Sequence, residues 1–299
     1  MTGTTALFDV VDSSAEEPYQ ASVEQVYTDD PALWQQAIGP DLWFQFGVYD
    51  GEAARSLDAA GRDYFDQQLD IALTGLRNPV RRVLDVGFGW GAPLMHLARR
   101  LPACPRLDGV NISEQQTRYT AQRLTDQSLT DRVRLYLCNA RDIELLPEPG
   151  IPYDLVVMRG SIGHMPPDVL EKALAAIAAR TRPGATVVIS ETLYNFPLTE
   201  YRSVLPDEVD RLACGHRKTP ADVLNALELN RLTVRDVRIL PSNEDAIRWL
   251  KAVKANIIRD LPPDLPQPLV EMRDVADNLS AALAADAVSV YSIVARRAD

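Results

Sequence analysis

One acid and three alternating glycines fall within seven residues: Asp85, Gly87, Gly89 and Gly91. They belong to the stretch Val83-Leu84-Asp85-Val86-Gly87-Phe88-Gly89-Trp90-Gly91-Ala92. An apolar run carries the acid and then breaks into glycines. Glycines let a backbone turn sharply and bring its N–H groups against a ligand. An amphipathic pattern follows, so the stretch reads as strand, turn and helix, with a positive helix end at the turn. That combination binds a nucleotide in a doubly wound α/β domain. Two further side chains could handle a proton. His164 follows a later apolar run, and Glu191 ends another. An imidazole titrates near neutral pH and suits a general base. A structural hydrogen bond at a helix N-terminus accounts for His164 equally well, and a solvated loop acid accounts for Glu191.

The elements that must position these groups alternate as a parallel sheet requires. Strands are expected at 82–86, 106–110, 133–138, 153–158, 186–190, 232–239 and 288–295. Helices are expected between them, at about 92–100, 113–125 and 168–180, then from 220, and at about 243–258 and 269–285. Ser113 with Gln116 three residues on is a capping-box pattern. A strand at the very end can enter the sheet antiparallel, because no crossover follows it. Before the sheet, residues 1–18 read as a loose leader. Short helices are expected at 21–27 and 32–38, with Asp30 capping the second ahead of Pro31. Leu42-Trp43-Phe44-Gln45-Phe46-Gly47-Val48-Tyr49 is the most aromatic stretch. It suits a cap that excludes water and holds an apolar acceptor; a core plug is the plainer alternative. Residues 193–219 form an insertion after the fifth strand, placed to cover the acceptor side. His216 lies in it as a lid residue or a solvated turn.

Gly87-x-Gly89-x-x-Ala92 also satisfies the dinucleotide fingerprint. Taken alone, it would admit a nicotinamide-dependent oxidoreductase. Three residues argue against that. Asp85 would meet a pyrophosphate with like charge and suits a cation instead. Asn111 stands where a ribose-binding acid is expected. Trp90 is bulky where a pyrophosphate needs close backbone approach. A ligand with a cationic amine, a ribose and an adenine, but no phosphate, fits better. S-adenosylmethionine is such a ligand.

Five segments in order carry a resemblance: Val83–Ala92, Gly109–Gln116, Asn139–Asp142, Asp154–His164 and Arg182–Gly184. Together the sequence resembles class I S-adenosylmethionine-dependent methyltransferases. It is most similar to the small-molecule branch that modifies sterols, tocopherols, sugars and terpenoids. The resemblance runs from about Tyr27 to Leu240. It implies a Rossmann-like, doubly wound, seven-stranded sheet with an antiparallel last strand. Residues 1–75 would be a leader and N-terminal helical cap, and residues 76–299 the methyltransferase domain with its lid insertion.

By the same resemblance, Asp85 lies near the methionine amine and Gly87, Gly89 and Gly91 form the turn beneath it. Asn111 and Gln116 meet the ribose, Ile112 the adenine face, Asn139 the adenine amine and Ala140 the ring through its N–H. Met158 lies below the sulfonium. Gln45-Phe46-Gly47 resembles the branch's aromatic-Phe-Gly cap and Tyr27 its N-terminal tyrosine near the cofactor. Tyr27 and Phe46 are also candidates for acceptor binding, as is Arg159, which on its own chemistry could bind an acceptor carboxylate or phosphate if it does not pair with a surface acid. His164 and Glu191 match a histidine and an acid of sugar O-methyltransferases in this branch. One departure is Gly160, where sterol-type enzymes carry a glutamate. The reaction implied is methyl transfer to O, N or C of a small, largely apolar secondary metabolite, leaving S-adenosylhomocysteine. A protein that binds this cofactor but catalyses a rearrangement is an alternative.

Composition narrows the field further. Thirty-one basic residues against 42 acidic ones give a net charge of −11. Such a chain is a poor candidate for nucleic-acid binding, which depends on neutralising phosphates. No run is long and apolar enough to span a bilayer. No basic and apolar leader marks a signal peptide. Three scattered cysteines suggest a reduced, cytoplasmic setting. No histidine or carboxylate spacing suggests a metal site. The N-terminal helices are plausible contacts for a homo-oligomer.

Overall fold

The structure is a computed structural model that describes residues 7–11, 18–27, 30–51, 55–76, 78–196 and 216–298. Its centre is one sheet of eight strands: β1 (Asp9–Val10), β2 (Arg82–Val86), β3 (Arg106–Asn111), β4 (Val133–Leu137), β5 (Tyr153–Arg159), β6 (Thr181–Tyr194), β7 (Leu232–Ile239) and β8 (Val288–Arg297). Their spatial order is β1-β4-β3-β2-β5-β6-β8-β7. All neighbouring pairs are parallel except those made by β8, which runs antiparallel to both β6 and β7. Every residue of β2 and β5 is buried. That explains their mostly apolar, β-branched interiors, since a parallel strand is covered on both faces, and leaves Arg82, Asp85, Asp154 and Arg159 as buried charges that need a partner.

The sheet departs from expectation in two places. Asp9–Val10, inside the expected loose leader, pairs in parallel with Tyr136 and Leu137 and adds an eighth strand. β6 begins at Thr181, so Arg182-Pro183-Gly184 belongs to the strand. Most of the insertion, residues 197–215, lies outside the described residues, as does nearly all of the remaining leader.

The described helices are α1 (Pro18–Val26), α2 (Pro31–Ile38), α3 (Leu57–Leu73), α4 (Ala92–Arg100), α5 (Glu114–Asp126), α6 (Pro167–Arg180), α7 (Pro220–Leu229), α8 (Asn243–Asp260) and α9 (Gln267–Ala284). Local chemistry sets their starts. The Asp30 carboxylate accepts the Ala32 N–H ahead of Pro31, and Thr219 and Asp222 form a complete capping box on α7. On α5 only half the expected box forms. Ser113 Oγ accepts the Gln116 N–H, while the Gln116 side chain bonds Asn111 instead. No described helix is long and apolar enough to cross a membrane.

Packing divides the chain's apolar residues among three clusters. Phe65, Leu69 and Leu94 fill one face of the sheet with α3 and α4. Ile162, Val169 and Ile177 fill the other with α6. The third cluster joins α2 and the 42–49 loop to α8 and α9 through Trp34, Phe46, Trp249 and Leu250. Each such side chain contributes about 1.5–3 kcal/mol on burial. The third cluster therefore fixes the aromatic loop against the two C-terminal helices, above the carboxyl ends of the strands.

Candidate functional site

The turn after β2 is built as the glycine spacing requires. Gly87, Gly89 and Gly91 have φ of +76°, +55° and +84°. A Cβ on Gly87 would come within 2.6 Å of Ser161 Cβ, and one on Gly91 would overlap the Thr120 side chain. A Cβ on Gly89 would meet nothing within 4 Å. Gly87 and Gly89 line a chamber at the ends of β2, β3 and β5, and Gly91 does not. Gly91 is the N-cap of α4, set back from that space.

Asp85 lines the same chamber, 1% exposed, and its Oδ2 has no hydrogen-bond partner. Burial pushes its carboxyl up to about 7, opposed by Arg159. At the end of β3, Asn111 Oδ1 accepts the Ser113 N–H at 3.2 Å and Nδ2 donates to Gln116 Oε1 at 2.9 Å. These two amides therefore line the chamber as one unit. Ile112, Cys138 and Ala140 give it an apolar wall. Asn139 and Met158 are not part of the lining. Asn139 caps the turn at 140–145 through Oδ1, and Met158 is fully buried in the sheet core.

Tyr19 and Val23 of α1 and Tyr27 just after it close this chamber, joined by Leu42, Phe44 and Gln45. Leu42, Gln45 and Phe46 hold φ of +59°, +71° and +70°. Left-handed backbone at such residues costs roughly 1 kcal/mol or more each and gathers at functional sites. The loop is held in this form with the Gln45 amide over Gly160. At φ +60° and with no room for a Cβ beneath that amide, position 160 is confined to glycine. The side chain a sterol-type enzyme carries there has no place in this structure.

A second chamber adjoins the first. Trp34, Phe46, Trp249, Leu250, Met272 and Leu279 give it an apolar wall, and Glu191, His216, Arg217 and Lys218 line its polar side. The two chambers share Tyr27, Phe44, Gln45, Gly160 and His164. Burial pushes His164 down to about 4, and Lys218 and His216 act in the same direction. The imidazole is therefore neutral across the physiological range. Glu191 accepts the Gly163 N–H at 2.9 Å and the Thr192 N–H at 3.0 Å. It thus anchors the backbone of the His164 turn. Burial raises the Glu191 carboxyl, and those two bonds oppose the rise. Lys218 donates to the carbonyls of Met165 and His216 and is pushed down to about 8, mainly by burial.

Several sequence expectations change place here. Phe46 lines the second chamber only, and Tyr27 lines both. Arg159 lines the first chamber, not the second, and has no surface acid as partner. His96 bonds Asp66 at 2.8 Å, a structural contact. Trp249, Met272, Leu279 and Lys218 had not been singled out. The helical periodicity of 243–284 contained the first three, but it looks the same for a chamber wall as for a core stripe. Among the described residues no group of three ligating side chains could hold a metal ion.

Residues 83–184 match the family model described as "Methyltransferase domain". A curated protein of Pseudomonas putida named "Probable fatty acid methyltransferase" is 32% identical over 139 residues, covering 46% of this chain and 33% of the relative. The chain thus spans about a third of that relative's length. Among solved structures, the [4+2]-cyclase SpnF superposes with a TM-score of 0.71 at 18% identity, covering 94% of this chain and 97% of that one. Geranyl diphosphate C-methyltransferase from Streptomyces coelicolor A3(2), solved with Mg2+, geranyl diphosphate and S-adenosyl-L-homocysteine, gives 0.67 at 16% identity over 95% and 100% of the two chains. At these identities the likeness is one of fold.

Proposed function

We propose that this chain, whose residues 83–184 match the methyltransferase-domain model, transfers a methyl group from S-adenosylmethionine to a small, largely apolar acceptor. One observation carries the proposal: two chambers of different chemistry meet at His164 and Tyr27.

The first chamber suits the donor. A buried carboxylate with an unpartnered oxygen, on Asp85, awaits a cation. The open side of Gly89 admits close backbone approach. The Asn111–Gln116 amides suit ribose hydroxyls, and Ile112 and Ala140 suit a flat ring. S-adenosylmethionine supplies a methyl already activated by its sulfonium. The protein's part is then to hold donor and acceptor in line and to exclude water.

The second chamber suits an acceptor with an apolar body. Phe46 and Trp249 meet edge to face at 5.5 Å within its wall. The Pseudomonas relative is named for fatty acids, which agrees with such a wall. At the junction, neutral His164 can take a proton as the methyl arrives. Its weak basicity suits a proton that turns strongly acidic only in the transition state. Being neutral, it also spares the donor's positive charge a like neighbour. Glu191 holds the His164 turn from below, and Tyr27 closes the junction from above.

Titration with S-adenosylmethionine and S-adenosylhomocysteine, then an acceptor screen with labelled donor, tests the proposal. Donor binding and labelled product are expected. No binding at millimolar donor overturns it. Binding without any S-adenosylhomocysteine formed would instead indicate a rearrangement catalyst.

A further inference from the structure

Arg159 is buried in the first chamber's wall with no carboxylate bonded to it. It ends β5, is 8% exposed, and none of Nε, Nη1 or Nη2 meets a partner in hydrogen-bonding geometry. Its Cζ lies 4.8 Å from the Tyr64 ring centroid, 4.7 Å from that of Phe65 and 5.9 Å from that of Trp43. Aromatic faces steady a guanidinium. They do not satisfy its five in-plane N–H donors. The Tyr64 hydroxyl bonds Ser190 Oγ, 2.5 Å away, and also acts on Arg159, but one neutral oxygen can accept at most part of what the guanidinium has to donate. An unpaired buried cation is costly, so proteins normally give it a carboxylate. The carboxylate nearby is Asp85, which acts on Arg159 through space but forms no hydrogen bond with it.

The chamber thus holds one carboxylate and one guanidinium, close enough to feel each other, each with unfilled bonding capacity and unjoined. This arrangement complements a zwitterion. The donor's amino-acid end is one, with an ammonium and a carboxylate on the same carbon.

We propose that Arg159 binds the α-carboxylate of the donor's amino-acid end, while Asp85 takes the ammonium. This assignment rests on the donor reading above. It moves Arg159 from acceptor recognition to donor selection. It also accounts for the missing partner, because the acceptor for the guanidinium's N–H groups arrives with the ligand. A hydrogen bond to a charged group is worth roughly 10- to 100-fold in affinity.

The test compares S-adenosylmethionine with its decarboxylated form, which keeps the sulfonium and the amine and lacks only the carboxylate. Titration calorimetry on the wild-type protein is expected to favour the carboxylated ligand by about tenfold or more. Arg159→Gln is expected to weaken S-adenosylmethionine by a similar factor and to leave the decarboxylated ligand within about twofold. Arg159→Lys should restore part of the preference. Equal wild-type affinity for the two ligands overturns the assignment, and that comparison needs no variant to fold. Equal losses for both ligands in a folded Arg159→Gln protein overturn it as well. If the wild type binds neither ligand, nor 5′-methylthioadenosine, the donor reading itself falls and takes this assignment with it. Binding of the two ligands with equal affinity removes only the role of Arg159.

Discussion

The Tyr27 hydroxyl lies 3.4 Å from Nε2 of His164, and the two rings meet edge-on with centroids 6.1 Å apart. One residue follows α1 and the other closes a short turn after β5, 137 positions later. Both line both chambers, so they stand where donor and acceptor would meet.

That position makes His164 testable as a base. His164→Ala should lower the transfer rate by roughly 10²–10⁴-fold if the imidazole takes a proton in the transition state. The active form is neutral, and the group is pushed down to about 4. The rate at saturating donor should therefore stay level through pH 6.5 and fall only as pH drops through about 4. A limb near 6.5 that vanishes in the variant would place the imidazole in water instead.

Asp85 titrates in the opposite sense. Its carboxyl is pushed up to about 7, so a large fraction is neutral just below that pH. A cationic ligand binds the ionised form. Donor affinity should rise with pH through about 7, with proton release on binding below it. Calorimetry in buffers of different ionisation enthalpy measures that proton. Asp85→Asn should bind donor weakly, and with no such pH dependence.

Gly87 and Gly89 should separate folding from binding. Gly89→Ala meets no atom within 4 Å and carries only left-handed strain, about 1–2 kcal/mol. Gly87→Ala adds a collision with Ser161 and should cost roughly 2–5 kcal/mol. Denaturant unfolding should rank them in that order. Gly89→Ala should nonetheless lose donor affinity, because its methyl enters the chamber. Intact affinity in that variant would move the donor elsewhere.

Leu279 lines only the second chamber. Leu279→Trp should raise the acceptor KM about tenfold, equivalent to about 1.4 kcal/mol, and leave donor Kd within twofold. A matching loss of donor affinity would show that the chambers do not act separately.

The sheet was legible because strands buried on both faces read as apolar runs. β2, β3, β4 and β5 lie within a residue of their expected bounds, and the mostly exposed β7 does so through its alternating β-branched residues instead. Asp9–Val10 was not legible: two exposed residues show no period, and their pairing depends on the edge of β4. Asp85 and the glycines marked the first chamber, the proposed donor side, through the tight local geometry they need. The acceptor side left no such mark. Trp249 and Met272 repeat as any core stripe does, and only the tertiary fold turns them toward a chamber. Arg159 was ambiguous for a related reason: a cation at the end of an apolar strand does not reveal whether it faces solvent, acceptor or donor.

The segment between β7 and β8 supplies Trp249 and Leu250 from α8 and Met272, Val275 and Leu279 from α9, and none of the five borders the first chamber. On the proposed reading, selectivity for the acceptor would thus be written largely on a replaceable panel, while the groups proposed to grip the donor stay in the sheet and its turns. A mutant library confined to residues 243–284 would explore new acceptors at a constant donor affinity, so one binding assay could serve as its quality control.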